Sequence, residues 1–364
     1  MSIRITDKPQ PGVACDIPSH SYQFTFEPNT QWSKFFSGGE EILQYVRGVA
    51  DKYGITNKVE FQTRVAGAEW NEEEGEWVVK VVKGAQSERR VFDVVVNATG
   101  CLNNCKWPDI EGLQDFEDSY SPEELKQSHE DQAHYWRYRK EIERSVNLDH
   151  ACLFPNTPSA LITKERIVEN MKRKLAKKPE LYGLLVPGFV QDAGDSRPDA
   201  IITEDGKSRP VDGIVYATGF ETSFIPRFPV FGQNGTTLAN QWKKYSSAYL
   251  SLAQPNFPNY FTVGGPNSAT SGGSLLIIFE SVIGYIVKAV QKIAREHIKC
   301  MVVKQHSLNE WEEYVDAYFP GTVHIEECPS WYKAGETNHR VVGLWPGSSL
   351  HARKTLETPR WEDF

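Results

Sequence analysis

Two stretches of the sequence decide the fold, and both end in the same tripeptide. Phe92-Asp93-Val94-Val95-Val96-Asn97 leads into Ala98-Thr99-Gly100, and Val211-Asp212-Gly213-Ile214-Val215-Tyr216 leads into Ala217-Thr218-Gly219. An apolar run followed at once by a small-small-Gly turn predicts a buried strand of parallel type whose end lets the backbone pass close to a ligand. Such turns are typical of the carboxyl edge of a doubly wound sheet. The alternative is a pair of tight strand exits in which small residues serve packing alone.

The glycine spacing conflicts with this expectation. The chain contains 27 Gly, yet nowhere does the pattern Gly-x-Gly occur. That pattern forms the tight turn that holds a dinucleotide pyrophosphate at a helix N-terminus. We therefore expect a nucleotide-type sheet that lacks this anchor.

Composition sets the broad class of protein. The chain has 364 residues, 40% hydrophobic and 24% charged, with a formal net charge of -8, which predicts about two soluble domains and gives no reason to expect nucleic acid as a partner. The first eight residues have no apolar core and predict no signal peptide. The most apolar stretch, residues 274–290, carries Glu280 and Lys288 and predicts no membrane span. Six scattered Cys complete no metal site and predict reduced thiols in the cytoplasm.

Local patterns predict the elements around these strands. A helix should begin at residues 37–41 and end at Tyr53-Gly54, and a strand should begin at Val59. Residues 68–70 and 77–82 predict a hairpin. Residues 123–182 are predicted to be helical and charged throughout. Further strands are expected at 200–203 and 260–263. A long helix should span residues 274–298, and its start, residues 275–279, is apolar nearly all round, which predicts burial there. A second helix should span 307–319, with Ser307 and Glu310 as a capping box, and the tail from residue 328 shows no period.

Two further features could carry chemistry. The Gly- and Ser-rich loop 264–274 precedes the long helix, whose free N–H groups favour an electron-rich group such as a flavin pyrimidine edge. The alternative is a flexible loop with Ser274 as a simple N-cap. Asp16 could accept hydrogen bonds from a ligand, or it could form an Asx turn before Pro18. The chain shows no Ser-His-Asp set, metal cage or phosphate-binding loop, and His20 alone reads as a loop histidine.

The chain resembles the class B flavoprotein monooxygenases, and within them the fungal branch of Baeyer–Villiger monooxygenases. The resemblance covers nearly the whole chain. The stretches that carry it are residues 11–20, 24–29, 107–113, 212–220, 255–261, 265–268, 344–351 and 359–364.

This resemblance implies an FAD- and NADPH-dependent monooxygenase of fungal secondary metabolism, which inserts oxygen into a ketone or oxygenates a heteroatom of a small-molecule substrate. It implies the cofactor-binding residues as well. Asp16 and Tyr22 would lie beside the flavin, Val65 under the adenine, and Ala98, Thr99 and Gly100 along the FAD. Pro266, Asn267, Ser268 and Ser274 would face the isoalloxazine. No catalytic residue is transferred.

The resemblance also implies an α/β, FAD/NAD(P)-binding Rossmann-like fold, reduced to part of its usual extent. We expect residues 1–120 to form the first part of the FAD domain with its β-meander, lacking the N-terminal Gly-rich βαβ unit. Residues 121–185 would be a helical lobe left from the NADP domain, whose nucleotide fold is missing after residue 120. Residues 186–364 would complete the FAD domain, with residues 191–196 replacing a basic pair of the family.

Because these parts are absent, an alternative function stays open at this point. The chain could be a catalytically inactive or flavin-independent truncated homologue that acts as a binder or partner protein. The loss of a central strand and helix would expose sheet surface suited to self-association or pairing.

Overall fold

The fold is mixed α/β, as the sequence predicts. The computed structural model describes residues 13–102, 222–327, 330–334 and 340–364, together with strands at 196–197, 200–202 and 208–210. In chain order the helices and strands of these parts are α1 (Gly39–Lys52), β1 (Thr63–Asn71), β2 (Glu76–Lys83), β3 (Gln86–Phe92), β4 (Val95–Asn97), β5 (Ser196–Arg197), β6 (Ala200–Ile202), β7 (Ser208–Pro210), β8 (Val230–Phe231), α2 (Leu238–Gln241), β9 (Tyr260–Thr262), α3 (Leu275–Glu296), α4 (Gln305–Tyr318), β10 (Lys333–Ala334), β11 (Arg340–Val341) and α5 (Ser349–Leu356). The predicted second Ala-Thr-Gly turn, the helical lobe and residues 191–195 lie outside them.

The β-meander forms as expected. Strands β1, β2 and β3 pair antiparallel in sequence, with Trp70 opposite Trp77, and β8 joins β1 in parallel. The two indoles pack 5.6 Å apart in a core beneath this sheet. The first strand begins at Thr63 rather than at the predicted Val59, because Gln62 has a positive φ of 56° that ends the preceding loop.

The strand that leads into the first Ala-Thr-Gly turn is not continuous. β3 ends at Phe92 in the meander, and β4 pairs in parallel with β9 in a different sheet. Asn259 holds the chain where it passes from one sheet to the other. Its side-chain amide donates to the carbonyl of Asp93 at 3.0 Å, and its backbone carbonyl accepts from the Val95 amide at 3.0 Å. The predicted parallel pairing is confirmed, but the predicted burial is wrong, because Val96 is 45% exposed.

The long helix α3 forms the centre of the C-terminal half. Its side chains at Ile278, Val282 and Tyr285 are fully buried in the largest apolar core. The prediction that the start of the helix is buried all round is wrong, because Leu275, Leu276 and Ile277 are only partly buried. Further along the helix, Ile283 and Val287 are exposed. Helix α3 is therefore amphipathic, with Ile278, Val282 and Tyr285 on the face that joins the core.

The capping box predicted at Ser307 is wrong. Helix α4 begins at Gln305 after Lys304, and Ser307 lies inside its first turn with a buried Oγ that makes no hydrogen bond. A long-range contact sets this start, since the Lys304 amide donates to the carbonyl of Asp363 at 2.8 Å. The tail also contains helix α5, which the sequence pattern did not reveal; Ser348 caps it by accepting from the His351 amide at 3.2 Å.

Candidate functional site

The turn after β4 and the loop before α3 meet at a cavity of about 230 Å³. The parallel pairing of β4 with β9 places their carboxyl ends side by side, so the chain leaves both strands at the same edge. Gly100 and Gly264 lie at this edge with φ of 73° and 74°, a backbone conformation that glycine adopts without strain. The sequence motif thus predicts where the cavity is.

The first wall of the cavity is the Ala98-Thr99-Gly100 turn itself. Asn97, which is buried, shapes this turn by accepting from the Thr99 amide at 3.1 Å and from the Thr99 hydroxyl at 2.9 Å through the same side-chain oxygen. Cys101 follows in the lining, and burial raises the pKa of its thiol. All three predicted residues of the turn line the cavity.

The second wall is the loop between β9 and α3, and Asn267 holds it. Asn267 has a positive φ of 58°, and its side-chain amide donates to the carbonyls of Val341 and Leu344 at 3.1 and 2.9 Å. Its backbone amide also donates to the carbonyl of Val342 at 2.6 Å. Ser268, the next residue, lines the cavity. The side-chain amide of Asn267 therefore binds the 341–344 segment, and Asn267 acts on the cavity by positioning Ser268.

Aromatic side chains that sequence reasoning missed complete the enclosure. Phe224, Phe279 and Trp331 line the cavity from three separate segments. No Asp, Glu, Lys, Arg or His is found among the described residues of its lining. The cavity is therefore apolar and aromatic with a few hydroxyl and backbone groups, a composition typical of sites for flat, uncharged ring systems.

The start of α3 adds a polar group beside this enclosure. Leu275, its first residue, lines the cavity, and Ser274 precedes it as the N-cap residue. The Ser274 side chain makes no capping bond, and its buried Oγ is without a hydrogen-bond partner. Ser274 therefore occupies the N-cap position without making the capping bond that the alternative prediction requires.

The remaining predicted residues lie elsewhere. Asp16 is exposed, and its alternative role in an Asx turn is excluded because Pro18 has no amide hydrogen to donate. Tyr22 packs against a separate small core with Trp32, where burial first and Asp16 second raise the pKa of its phenol to about 12. Val65 packs beneath the meander. Of the predicted set, the structure brings Ala98, Thr99, Gly100 and Ser268 to one cavity, with Pro266, Asn267 and Ser274 adjacent in sequence.

The dimensions test whether these residues suit FAD. The cavity is smaller than the roughly 300–1,000 Å³ of sites that enclose a drug-sized ligand. It suits one ring system. The described residues thus fit the ring end of a flavin and provide no turn for its pyrophosphate.

Metal and membrane roles find no support in the described parts of the chain. No group of three His, Cys, Asp or Glu side chains there could hold a metal ion. No helix there is long and apolar enough to cross a membrane. The described cysteines Cys15, Cys101 and Cys300 are free thiols.

Comparison with known proteins confirms the resemblance. No protein-family model matches the chain. It is 29% identical to the FAD-binding monooxygenase tazF of Aspergillus terreus, over 98% of this chain and 81% of that protein. It is 25% identical to a Baeyer–Villiger monooxygenase of Streptomyces coelicolor, over 96% of this chain and 82% of that protein. The chain is a homologue of the fungal FAD-binding monooxygenases and of the Baeyer–Villiger monooxygenases.

The fold agrees with this lineage. The structure superimposes on OTEMO in complex with FAD and NADP with a TM-score of 0.73 and 18% identity, over 95% of this chain and 88% of that chain. The alignment with tazF runs over 458 positions although this chain has 364 residues, so a substantial part of the aligned span of tazF has no counterpart here.

Proposed function

We propose that the chain is an FAD-dependent monooxygenase of the Baeyer–Villiger type, from an NADPH-using family, acting on a ketone or a heteroatom of a small molecule in fungal secondary metabolism. The observation that carries the proposal is the shared cavity of the Ala98-Thr99-Gly100 turn and the loop that ends in Ser268. The names of the relatives support the same assignment.

FAD supplies the oxygen chemistry in such enzymes when it is bound, and the role of this chain is to bind and orient it. We assign the Ala98-Thr99-Gly100 backbone, Ser268 and the Ser274 hydroxyl to the ring end of the flavin. Asn267 holds the loop against the 341–344 segment, and the aromatic wall at Phe279 excludes water. Asp16, Tyr22 and Val65 stay proposals for the rest of the cofactor.

We further propose a cytoplasmic protein with a small-molecule substrate. Self-association belongs to the same proposal, and Val96 on β4 is one of the exposed apolar residues that it could cover. Sedimentation of the purified chain measures this directly.

Titration with FAD tests the central proposal. The expected result is a protein-perturbed visible spectrum at one flavin per chain. Ala98→Phe would place a ring in the cavity and should weaken FAD binding at least tenfold. The matched control is Ala239→Phe on α2, because Ala239 is also exposed but is not part of the cavity lining. A colourless wild-type chain that ignores FAD would overturn the proposal and leave the binder or partner reading.

A further inference from the structure

The two halves of the loop before α3 are held in different ways. The first half is fastened to the segment after β11, since the Ala269 amide donates to the Gly343 carbonyl at 3.0 Å and its carbonyl accepts from the Trp345 amide at 2.7 Å. The second half, residues 270–274, leads directly into Leu275 of the cavity lining. Among the described residues, the hydrogen bond that ties this second half to another segment is the one between Ser271 and His324, at 3.0 Å from Oγ to Nε2.

His324 is itself held firmly. It lies in a short 3-10 turn (Val323–Ile325), only 9% exposed, and its amide donates to the Thr322 hydroxyl at 3.3 Å. Its ring packs edge-on against Phe319, the residue that follows helix α4. The imidazole therefore presents Nε2 to Ser271 from a rigid position.

The same ring contacts the segment that carries Trp331 of the cavity lining. His324 packs edge-on against Tyr332 with 5.2 Å between ring centroids. The Tyr332 carbonyl accepts from the amides of Val342 and Gly343 at 2.8 and 3.0 Å. Trp331, the preceding residue, and Gly343 both line the cavity. His324 thus connects the α3 loop to the aromatic wall.

We propose that His324 is a positioning residue for this cavity: it holds the loop at Ser271 and the Trp331–Tyr332 segment at a fixed separation. Neither His324 nor Ser271 lines the cavity, so both act through their neighbours. Without the bond, residues 270–274 lose their tie to His324, and Leu275 with the start of α3 loses its fixed place. The consequence for flavin binding rests on the proposed function; the consequence for the loop does not.

Three variants separate the hydrogen bond from packing. His324→Phe keeps an aromatic ring against Phe319 and Tyr332 but removes Nε2. His324→Gln places an amide near the position of Nε2 and should restore the bond. Ser271→Ala removes the other partner at an exposed position. The matched control is His306→Phe on α4, because His306 is exposed and remote from the cavity.

The first measurement is hydrogen exchange of the peptide covering residues 269–275 in the flavin-free chain. We expect exchange about two- to tenfold faster in His324→Phe and Ser271→Ala, the range that one net hydrogen bond provides, and near wild type in His324→Gln and His306→Phe. Wild-type exchange in both His324→Phe and Ser271→Ala would overturn the proposal. Ser271→Ala keeps the test decisive if His324→Phe fails to fold.

The second measurement is FAD affinity in a double-mutant cycle. His324→Phe and Ser271→Ala should each weaken binding about two- to tenfold, and the double variant should be no weaker than the worse single variant. Additive losses would overturn the proposal, because the two residues would then act independently. If the wild-type chain binds no flavin, the proposed function fails, while hydrogen exchange still decides the role of His324.

Discussion

The indole of Trp77 donates to the carbonyl of Pro258 at 2.8 Å, across 181 residues of sequence. Trp77 is fully buried on β2, and Pro258 lies just before β9, whose carboxyl end opens into the cavity. This contact fastens the meander to the strand that carries the candidate site. Stability of the meander and placement of the cavity are therefore linked through one side chain.

Two substitutions of Trp77 should destabilise the fold to different extents. Trp77→Phe leaves the Pro258 carbonyl without its partner and should lower the free energy of unfolding by about 1–3 kcal/mol. Trp77→Ala adds a large cavity and should lower it by about 3–5 kcal/mol. Urea unfolding measures both. The control Trp331→Phe, at 39% exposure, should change stability by no more than about 0.5 kcal/mol. Equal losses at both positions would contradict the assigned role of Trp77.

Alkaline pH should destabilise the chain through its buried tyrosines. Burial raises the pKa of Tyr22 and Tyr285 from 10.0 to about 12. The unfolded chain loses these protons from pH 10 upward while the folded chain keeps them, so stability is fully present below pH 10 and falls as pH rises toward 12. Within this range each tyrosine should lower the free energy of unfolding by about 1.4 kcal/mol per pH unit.

Tyr285→Phe isolates one part of this effect. Tyr285 is fully buried, and its hydroxyl accepts from the Arg360 amide at 3.3 Å. The variant should show a shallower fall in urea-unfolding free energy between pH 10 and 11.5 than the wild type. An identical slope in both proteins would show that Tyr285 titrates equally in the folded and unfolded states.

Bound flavin should protect Cys101. This thiol lines the cavity, whereas Cys300 is exposed beyond the C-terminal end of α3 and serves as the internal control. Alkylation of Cys101, followed by peptide mass spectrometry in a Cys105→Ser background, should slow on adding FAD while Cys300 reacts unchanged. Because burial raises the pKa of Cys101 above 9.0, its alkylation should also accelerate as pH rises through that range. Unprotected Cys101 in a flavin-bound chain would place the flavin elsewhere.

A glycine in α3 offers a stabilising change. Gly284 lies on the exposed face of the helix, and an added Cβ would meet no atom within 4 Å. Gly284→Ala should raise the free energy of unfolding by about 0.5–1 kcal/mol, because alanine loses less backbone entropy in a helix. The contrasting variant is Gly232→Ala, whose Cβ would overlap the Asn256 carbonyl, and it should destabilise the chain. A loss of stability in Gly284→Ala would mean that another surface covers this face.

Local patterns were sufficient wherever neighbours in sequence set the structure. Helix α1 begins and ends where its apolar period and Gly54 predict, and the Trp70–Trp77 hairpin has the expected turn. The failures arise from distant contacts. Asn259 divides the predicted strand at Asp93, and Asp363 sets the start of α4 ahead of Ser307. Neither contact leaves a signal in the residues it alters.

The candidate site shows the same division between features set by local sequence and features set by distant contacts. The sequence by itself determined the small-residue turns, the Gly- and Ser-rich loop and the monooxygenase resemblance, because each is a run of neighbouring residues whose backbone freedom depends on their own side chains. Only the tertiary structure decided that Thr99, Ser268 and Trp331 enclose one cavity and that His324 ties two of its walls. These residues come from segments far apart in the chain, and the parallel pairing of β4 with β9, together with the bonds from Asn267 to the 341–344 segment, brings them together.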